Sequence, residues 1–123
     1  MSEDISRLPP QVQERLLRLQ QLQQTLQSVM GQKQQVEAEQ TEVEQTLSEL
    51  QKTADDAVIY KAIGSLLVKS EKAKVTTELV ERKELLITRS TVLTRQEERL
   101  RTQVKEVQTK LQEDLSPITP SSP

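Results

Sequence analysis

Apolar residues recur every seven positions through most of the chain, in two blocks separated by a short stretch that follows a different rule. In the first block one set of positions is Val12, Leu19, Leu26, Lys33, Gln40 and Leu47, and the set three residues later is Arg15, Leu22, Val29, Val36, Val43 and Leu50. A stripe this narrow is the seam of a coiled coil and predicts a helix over about 10–52. Most of the remaining positions hold Gln, Glu, Arg and Leu, all good helix formers. Lys33 and Gln40 interrupt the middle of the seam, which fixes register or partner at some cost in stability. In the second block Leu79, Leu86, Leu93, Leu100 and Val107 are spaced by seven, supported by Val75, Val104 and Leu111. They predict a second helix, with a thinner stripe, over about 71–114. Outside that stripe, Glu78 with Arg82, Glu97 with Arg101 and Glu106 with Lys110 sit four apart in the favourable acid-first order and read as a solvated face.

The punctuation agrees with this division. All five prolines lie at the ends, at Pro9, Pro10, Pro117, Pro120 and Pro123. Pro9 and Pro10 suit a helix start, where the missing N–H would have no partner. Residues 116–123 read as a disordered tail after a single unit spanning 1–115. Gly31, inside the first helix, should weaken it by about 1 kcal/mol relative to Ala, either as a flexible point or as a harmless surface glycine.

Between the blocks the period is lost. Residues 57–69, AVIYKAIGSLLVK, are rich in β-branched residues and carry Gly64-Ser65 at a point where the chain can turn, which is a β-hairpin signal. Val58, Ile59, Tyr60 and Ile63 precede the turn and Leu66, Leu67 and Val68 follow it. The runs are almost continuously apolar, so both faces of the small sheet require burial. A turn near Gly64 puts Leu47 level with Leu79, Gln40 with Leu86, Lys33 with Leu93, Leu26 with Leu100 and Leu19 with Val107. Both heptad sets therefore agree on one antiparallel hairpin of helices, with arms roughly 60 Å long at 1.5 Å per residue and both termini at its far end. The expected fold class is mostly α: a long antiparallel two-helix coiled coil with a short β-hairpin at the bend. An isolated two-stranded sheet is marginal in water and its open edges invite further strands. Folding over the top of its own helices would leave much of it uncovered, so assembly through the sheet is the expected arrangement.

Composition narrows what such a chain can do. Of 123 residues only 33% are hydrophobic, with no Phe or Trp and a single aromatic, Tyr60, which argues against a large globular core. Mixed charges amounting to 29% of the chain leave a formal net charge of −2, so there is no electrostatic footprint for nucleic acid. No apolar run approaches the length of a membrane span, and Met1-Ser2-Glu3-Asp4 does not resemble a secretory signal, so an intracellular, cytoplasmic protein without membrane contact is expected. The absence of His and Cys removes the usual zinc sites and nucleophiles. The two glycines form neither a Walker loop nor a dinucleotide fingerprint. Asp55-Asp56 suit a turn at the junction of helix and strand better than a metal site. No enzyme, cofactor or metal is expected. The remaining candidate chemistry is apolar surface near the shared far end: Ile5, Leu8, Val12, Leu16 and Leu19 from one arm, Val104, Val107, Leu111, Leu115 and Ile118 from the other. Prolines are expected to keep Ile5, Leu8, Leu115 and Ile118 out of the helices, which leaves a mobile apolar tip able to hold unfolded chains weakly.

The chain resembles a β-type prefoldin subunit. The similar stretches are LPPQVQ at 8–13, QQLQQ at 20–24, QKQQVE at 32–37, DDAVIYK at 55–61, LLVK at 66–69 and RQEERL at 95–100. Coiled-coil similarity alone is weak because Gln, Glu and Lys repeats recur by composition. The hairpin sequence at its correct distance from both helices is more specific. The resemblance implies a hexamer of two α-type and four β-type subunits, whose hairpins join into an intersubunit β-barrel platform carrying six coiled coils. It also implies ATP-independent capture of non-native proteins at the tips and their transfer to a group II chaperonin in the cytosol. Carried over by position, residues 58–63 and 66–68 would build the platform and the apolar residues near both termini would meet clients. The tips lack Phe and Trp, so any grip would be aliphatic. A homodimeric coiled-coil adapter or tether is the alternative reading, and a nucleic-acid arm like those on some tRNA-charging enzymes is a weaker one; neither accounts for the apolar central hairpin.

Overall fold

The computed structural model describes residues 7–116. Ile5, Ile118 and all of the 116–123 tail beyond Ser116 lie outside the described residues. The elements in chain order are helix α1 (Pro10–Gln51), strands β1 (Val58–Ile63) and β2 (Leu66–Glu71), and helix α2 (Lys72–Leu115). The start of α1 uses both prolines: the carbonyl of Pro9 accepts from the Gln13 amide at 3.1 Å, and Pro10 takes the first helical position. Gln13 Nε2 also donates to the Leu8 carbonyl at 2.7 Å, tying the lead-in to the first turn. At the other end Leu115 is the last residue of α2, so Pro117 does not keep it out of the helix. Proline disfavours helical geometry in the residue before it, here Ser116, and the helix stops one position earlier.

The chain falls into two compact units, residues up to Gln32 with those from Leu93 onward, and Lys33–Val92. In the first, α1 and α2 run antiparallel: Arg15 pairs with Asp114, and Arg101 Nη2 meets Met30 Sδ at 3.5 Å. Val12, Leu22, Val29, Leu93 and Leu111 are its buried side chains. In the second, Arg82 bonds Glu39 at 2.8 Å and Lys83 approaches Glu44 at 3.9 Å, while Val36, Leu50 and Leu86 are buried, Leu86 completely. Every member of both heptad sets of α1 is buried or half-buried. In α2 the set based on Leu79 and Leu86 is joined by Thr76, Lys83, Ser90 and Glu97 at half-buried heptad positions, before Val104 and Leu111 continue the set. That polar run explains the thin stripe: much of the second seam position is occupied by residues that hydropathy does not mark.

One of the anticipated helix-face pairs is redistributed. Glu97 does hold Arg101, at 2.8 Å. Glu78 bonds Lys61 of β1 and Arg82 bonds Glu39 of α1, because each finds an opposite charge on another element. Gly31 lies within continuous helix on an exposed position, with nothing near where a Cβ would be.

The strands form a two-stranded antiparallel sheet, pairing Val58 with Glu71 through Ile63 with Leu66. Its centre lies between Gly64 and Ser65, a residue or so beyond the one that levels Leu47 with Leu79. Gly64 has φ 57°, and no other residue among those described has positive φ. A two-residue connection with positive φ at its first position alone is the II′ arrangement, whose twist matches the strands and which asks for glycine there.

Candidate assembly and client-binding surfaces

Alternation along the strands places Val58, Tyr60, Ala62, Leu67, Lys69 and Glu71 on one face of the hairpin, and Ile59, Lys61, Ile63, Leu66, Val68 and Ser70 on the other. Both faces are therefore apolar toward the turn. Neither is covered by the chain's own helices: Leu66 remains 67% exposed and Leu67 72%, with Val58, Tyr60, Ile63 and Val68 also exposed. Ile59 alone among the seven candidate hairpin residues is half-buried. Folding of the hairpin over its own coiled coil is thus not what the chain does.

Charged contacts hold the base of this hairpin. Lys61 Nζ donates to Glu78 Oε2 at 2.7 Å, linking β1 to α2. Lys72, the first residue of α2, donates to the Thr53 carbonyl at 2.7 Å and to Asp55 Oδ1 at 3.2 Å. Asp55 and Asp56 themselves occupy a turn closed by the Ala57 amide on the Ala54 carbonyl at 3.1 Å. The hydrogen bond from Lys61, aided by the charges of Lys61 and Lys74, holds the Glu78 carboxyl below its ordinary range. Stabilisation from this contact is therefore present above the ordinary carboxylate pKa and lost as pH falls through the lowered one. Replacing Glu78 with Gln should lower the thermal midpoint at pH 7 by about a degree, because the pair is solvent-screened, and the difference between parent and variant should disappear as acidification protonates the Glu78 carboxyl. Circular-dichroism melts across that titration check it.

At the far end the candidate residues divide. Val12 and Leu111 are buried, and Leu16, Leu19, Val104 and Val107 are half-buried. Leu8 is half-buried and Leu115 is exposed. Arg15, a seam position by spacing, spans the helices, bonding Asp114 and donating to the Lys110 carbonyl at 3.3 Å. Its guanidinium also offsets an acidic group lying unfavourably near a helix C-terminus. The largest exposed apolar side chain on α1 is one that periodicity passes over: Leu17, 60% exposed beside Leu16. On α2, Val80, Leu85, Ile87 and Val92 are exposed as well. Their signal was available in principle, since 80 and 87, like 85 and 92, are one heptad apart but off the seam.

Among the described residues no helix is long and apolar enough to cross a membrane, and no group of three or more His, Cys, Asp or Glu is placed to hold a metal ion. Residues 13–117 match a family model described as prefoldin subunit. The chain belongs to the prefoldin β-subunit family. It is 51% identical over 110 residues to prefoldin subunit beta of Archaeoglobus fulgidus, covering 89% of this chain and 95% of that one. It is 45% identical over 112 residues to prefoldin subunit beta of Methanosarcina acetivorans, covering 91% and 96%. Among solved structures it resembles the crystal structure of the prefoldin beta subunit from Thermococcus strain KS-1, with a TM-score of 0.81, 43% identity, and coverage of 94% of this chain and 98% of that one. Prefoldin β-subunit relatives thus match over nearly their whole length, hairpin and both helices included. As a family of subunits, they imply assembly of this chain with other prefoldin subunits.

Proposed function

We propose that the chain is the β-type subunit of an ATP-independent chaperone that captures non-native polypeptides at its coiled-coil tips and hands them to a group II chaperonin in the cytosol. The observation that carries this reading is the hairpin, apolar on both faces and uncovered by its own chain, in a member of a family of subunits. Residues 58–63 and 66–68 join hairpins of neighbouring subunits into a β-barrel platform, with two α-type and four β-type chains per complex. Burial of exposed Leu, Val and Ile side chains contributes about 1.5–3 kcal/mol each to such an interface, and paired strand edges satisfy backbone groups that water now serves. No catalysis or cofactor enters this function. Binding is passive: Leu8, Leu16, Leu17 and Leu115, together with Ile5 and Ile118, supply aliphatic contact too sparse to grip folded proteins and sufficient to hold extended apolar segments reversibly.

Native mass spectrometry of the tagged chain, purified gently from its own cells, tests the assembly. Four copies with two of a related but different chain are expected. A homodimer with no such companion would replace this reading with that of a coiled-coil adapter or tether.

A further inference from the structure

Little apolar packing joins the hairpin to its own helices. Between β1 and the helices lies an open groove of about 700 Å³, lined by Val43, Tyr60, Lys61, Val75, Glu78 and Leu79 among others, so the strands do not press down on the seam below them. The angle at which the sheet leaves the helices is therefore left to other contacts. Covalent geometry restrains one strand: β2 ends at Glu71 and α2 begins at Lys72, with no residue between them. For β1 there is no such tie, because residues 52–57 separate it from α1.

We infer that Lys61 and Lys72 are positioning residues that fix the angle between the hairpin and the helices, so that a platform of hairpins, the assembly proposed above, holds its arms in a set direction. Lys72 stands in an electrostatically poor place for a lysine. It is the first residue of α2, at the positive end of that helix's dipole, and the first turn holds no acidic side chain. Its side chain is nonetheless only 17% exposed and reaches past the end of α1, donating to the Thr53 carbonyl at 2.7 Å and to Asp55 Oδ1 at 3.2 Å. There the ammonium meets the negative end of the α1 dipole, and the segment leading into β1 is pinned to the root of α2. Lys61 spans the groove. It is the one charge on its face of the hairpin, among Ile59, Ile63, Leu66, Val68 and Ser70, and it donates to Glu78 Oε2 at 2.7 Å, in the second turn of α2. One cation thus ties the approach to β1, and the other its middle, to the same helix. Two ties at different points resist rocking about the junction of β2 with α2. Exposed ion pairs contribute little to stability; the effect expected here is on direction.

The chain has no cysteine, so Ser65→Cys with Arg89→Cys places one nitroxide at the hairpin turn and one on an exposed position of α2. Doubly labelled chains are diluted among unlabelled copies in the assembled complex, and the distance between labels is read by pulsed electron spin resonance. Arg89 lies about 26 Å along α2 from Lys72, so about 10° of rocking moves its label by about 5 Å relative to the hairpin. Lys61→Glu and, separately, Lys72→Met should each shift or broaden the distance distribution by about 5 Å or more, with helicity and the mass of the complex unchanged. Lys61→Glu with Glu78→Lys, and Lys72→Arg, should restore the parental distribution, which a general loosening of the fold would not allow. Distributions in the Lys61→Glu and Lys72→Met variants that match the parent overturn the inference, as does failure of the charge exchange to restore it. The same distances are measured in the free chain. If the parent forms no complex, the assembly reading fails, while the free-chain distances still decide whether the two lysines set the angle.

Discussion

Aspartate at Leu66 and Leu67 together should release the chain from its complex while leaving its own fold unchanged. The two residues lie on opposite faces of the hairpin next to the turn, and in the single chain they are 67% and 72% exposed. Charges placed there cost the free subunit almost nothing, since water solvates them. Inside a sheet formed with neighbouring strands each carboxylate loses that water with no cation opposite it, a penalty of several kcal/mol per group. Two per subunit, repeated over every copy, exceed what the remaining strand contacts supply. Native mass spectrometry should show free subunits, and circular dichroism should show unchanged helicity. An intact complex would mean that these faces are not the contact. Ile59 is a poorer place for this test because it is half-buried within the chain, so a charge there also disturbs the hairpin itself.

The second large effect is expected at the tips. Changing Leu8, Leu17 and Leu115 to Ser should weaken protection of an aggregating client about tenfold or more, measured as the concentration of complex needed to suppress light scattering. Each substitution removes roughly 1–2 kcal/mol of apolar contact, and several arms acting on one client multiply the loss. Leu17 and Leu115 are exposed and Leu8 precedes the helix, so stability should change little. Val12→Ala gives the contrast: its side chain is buried, and its loss should cost about 1–2 kcal/mol of stability by opening the seam. If the triple variant protects as well as the parent, the client surface lies elsewhere on the chain.

Much of this architecture was legible in the residue pattern, for identifiable reasons. Heptad spacing reports which side of a helix is withdrawn from water, and in α1 it did so even at Lys33, Gln40 and Arg15, where the residue type alone would have argued otherwise. Glycine followed by serine between two apolar runs marked the reversal, because positive φ at Gly64 is a backbone need that the sequence displays. The prolines announced both helix ends, yet the C-terminal one stops α2 a residue later than expected and leaves Leu115 helical.

Other features required the chain in three dimensions. Charge pairing is decided by which opposite charge is nearest in space, so Glu78 went to Lys61 and Arg82 to Glu39, and helical spacing had no means of weighing those partners. The half-buried Thr76, Lys83, Ser90 and Glu97 were invisible to a hydropathy pattern, because what places them in the seam is the apposition of α1 and not their own character. Exposure of Leu17, Val80 and Ile87 likewise depends on where the partner helix ends its cover. The sequence by itself determined the two helices, the apolar hairpin and their order, because periodicity and turn chemistry are local. Only the tertiary structure decided that both faces of the hairpin stay open and which apolar side chains remain outside the seam. Coverage is a property of what lies opposite, and no single segment encodes it.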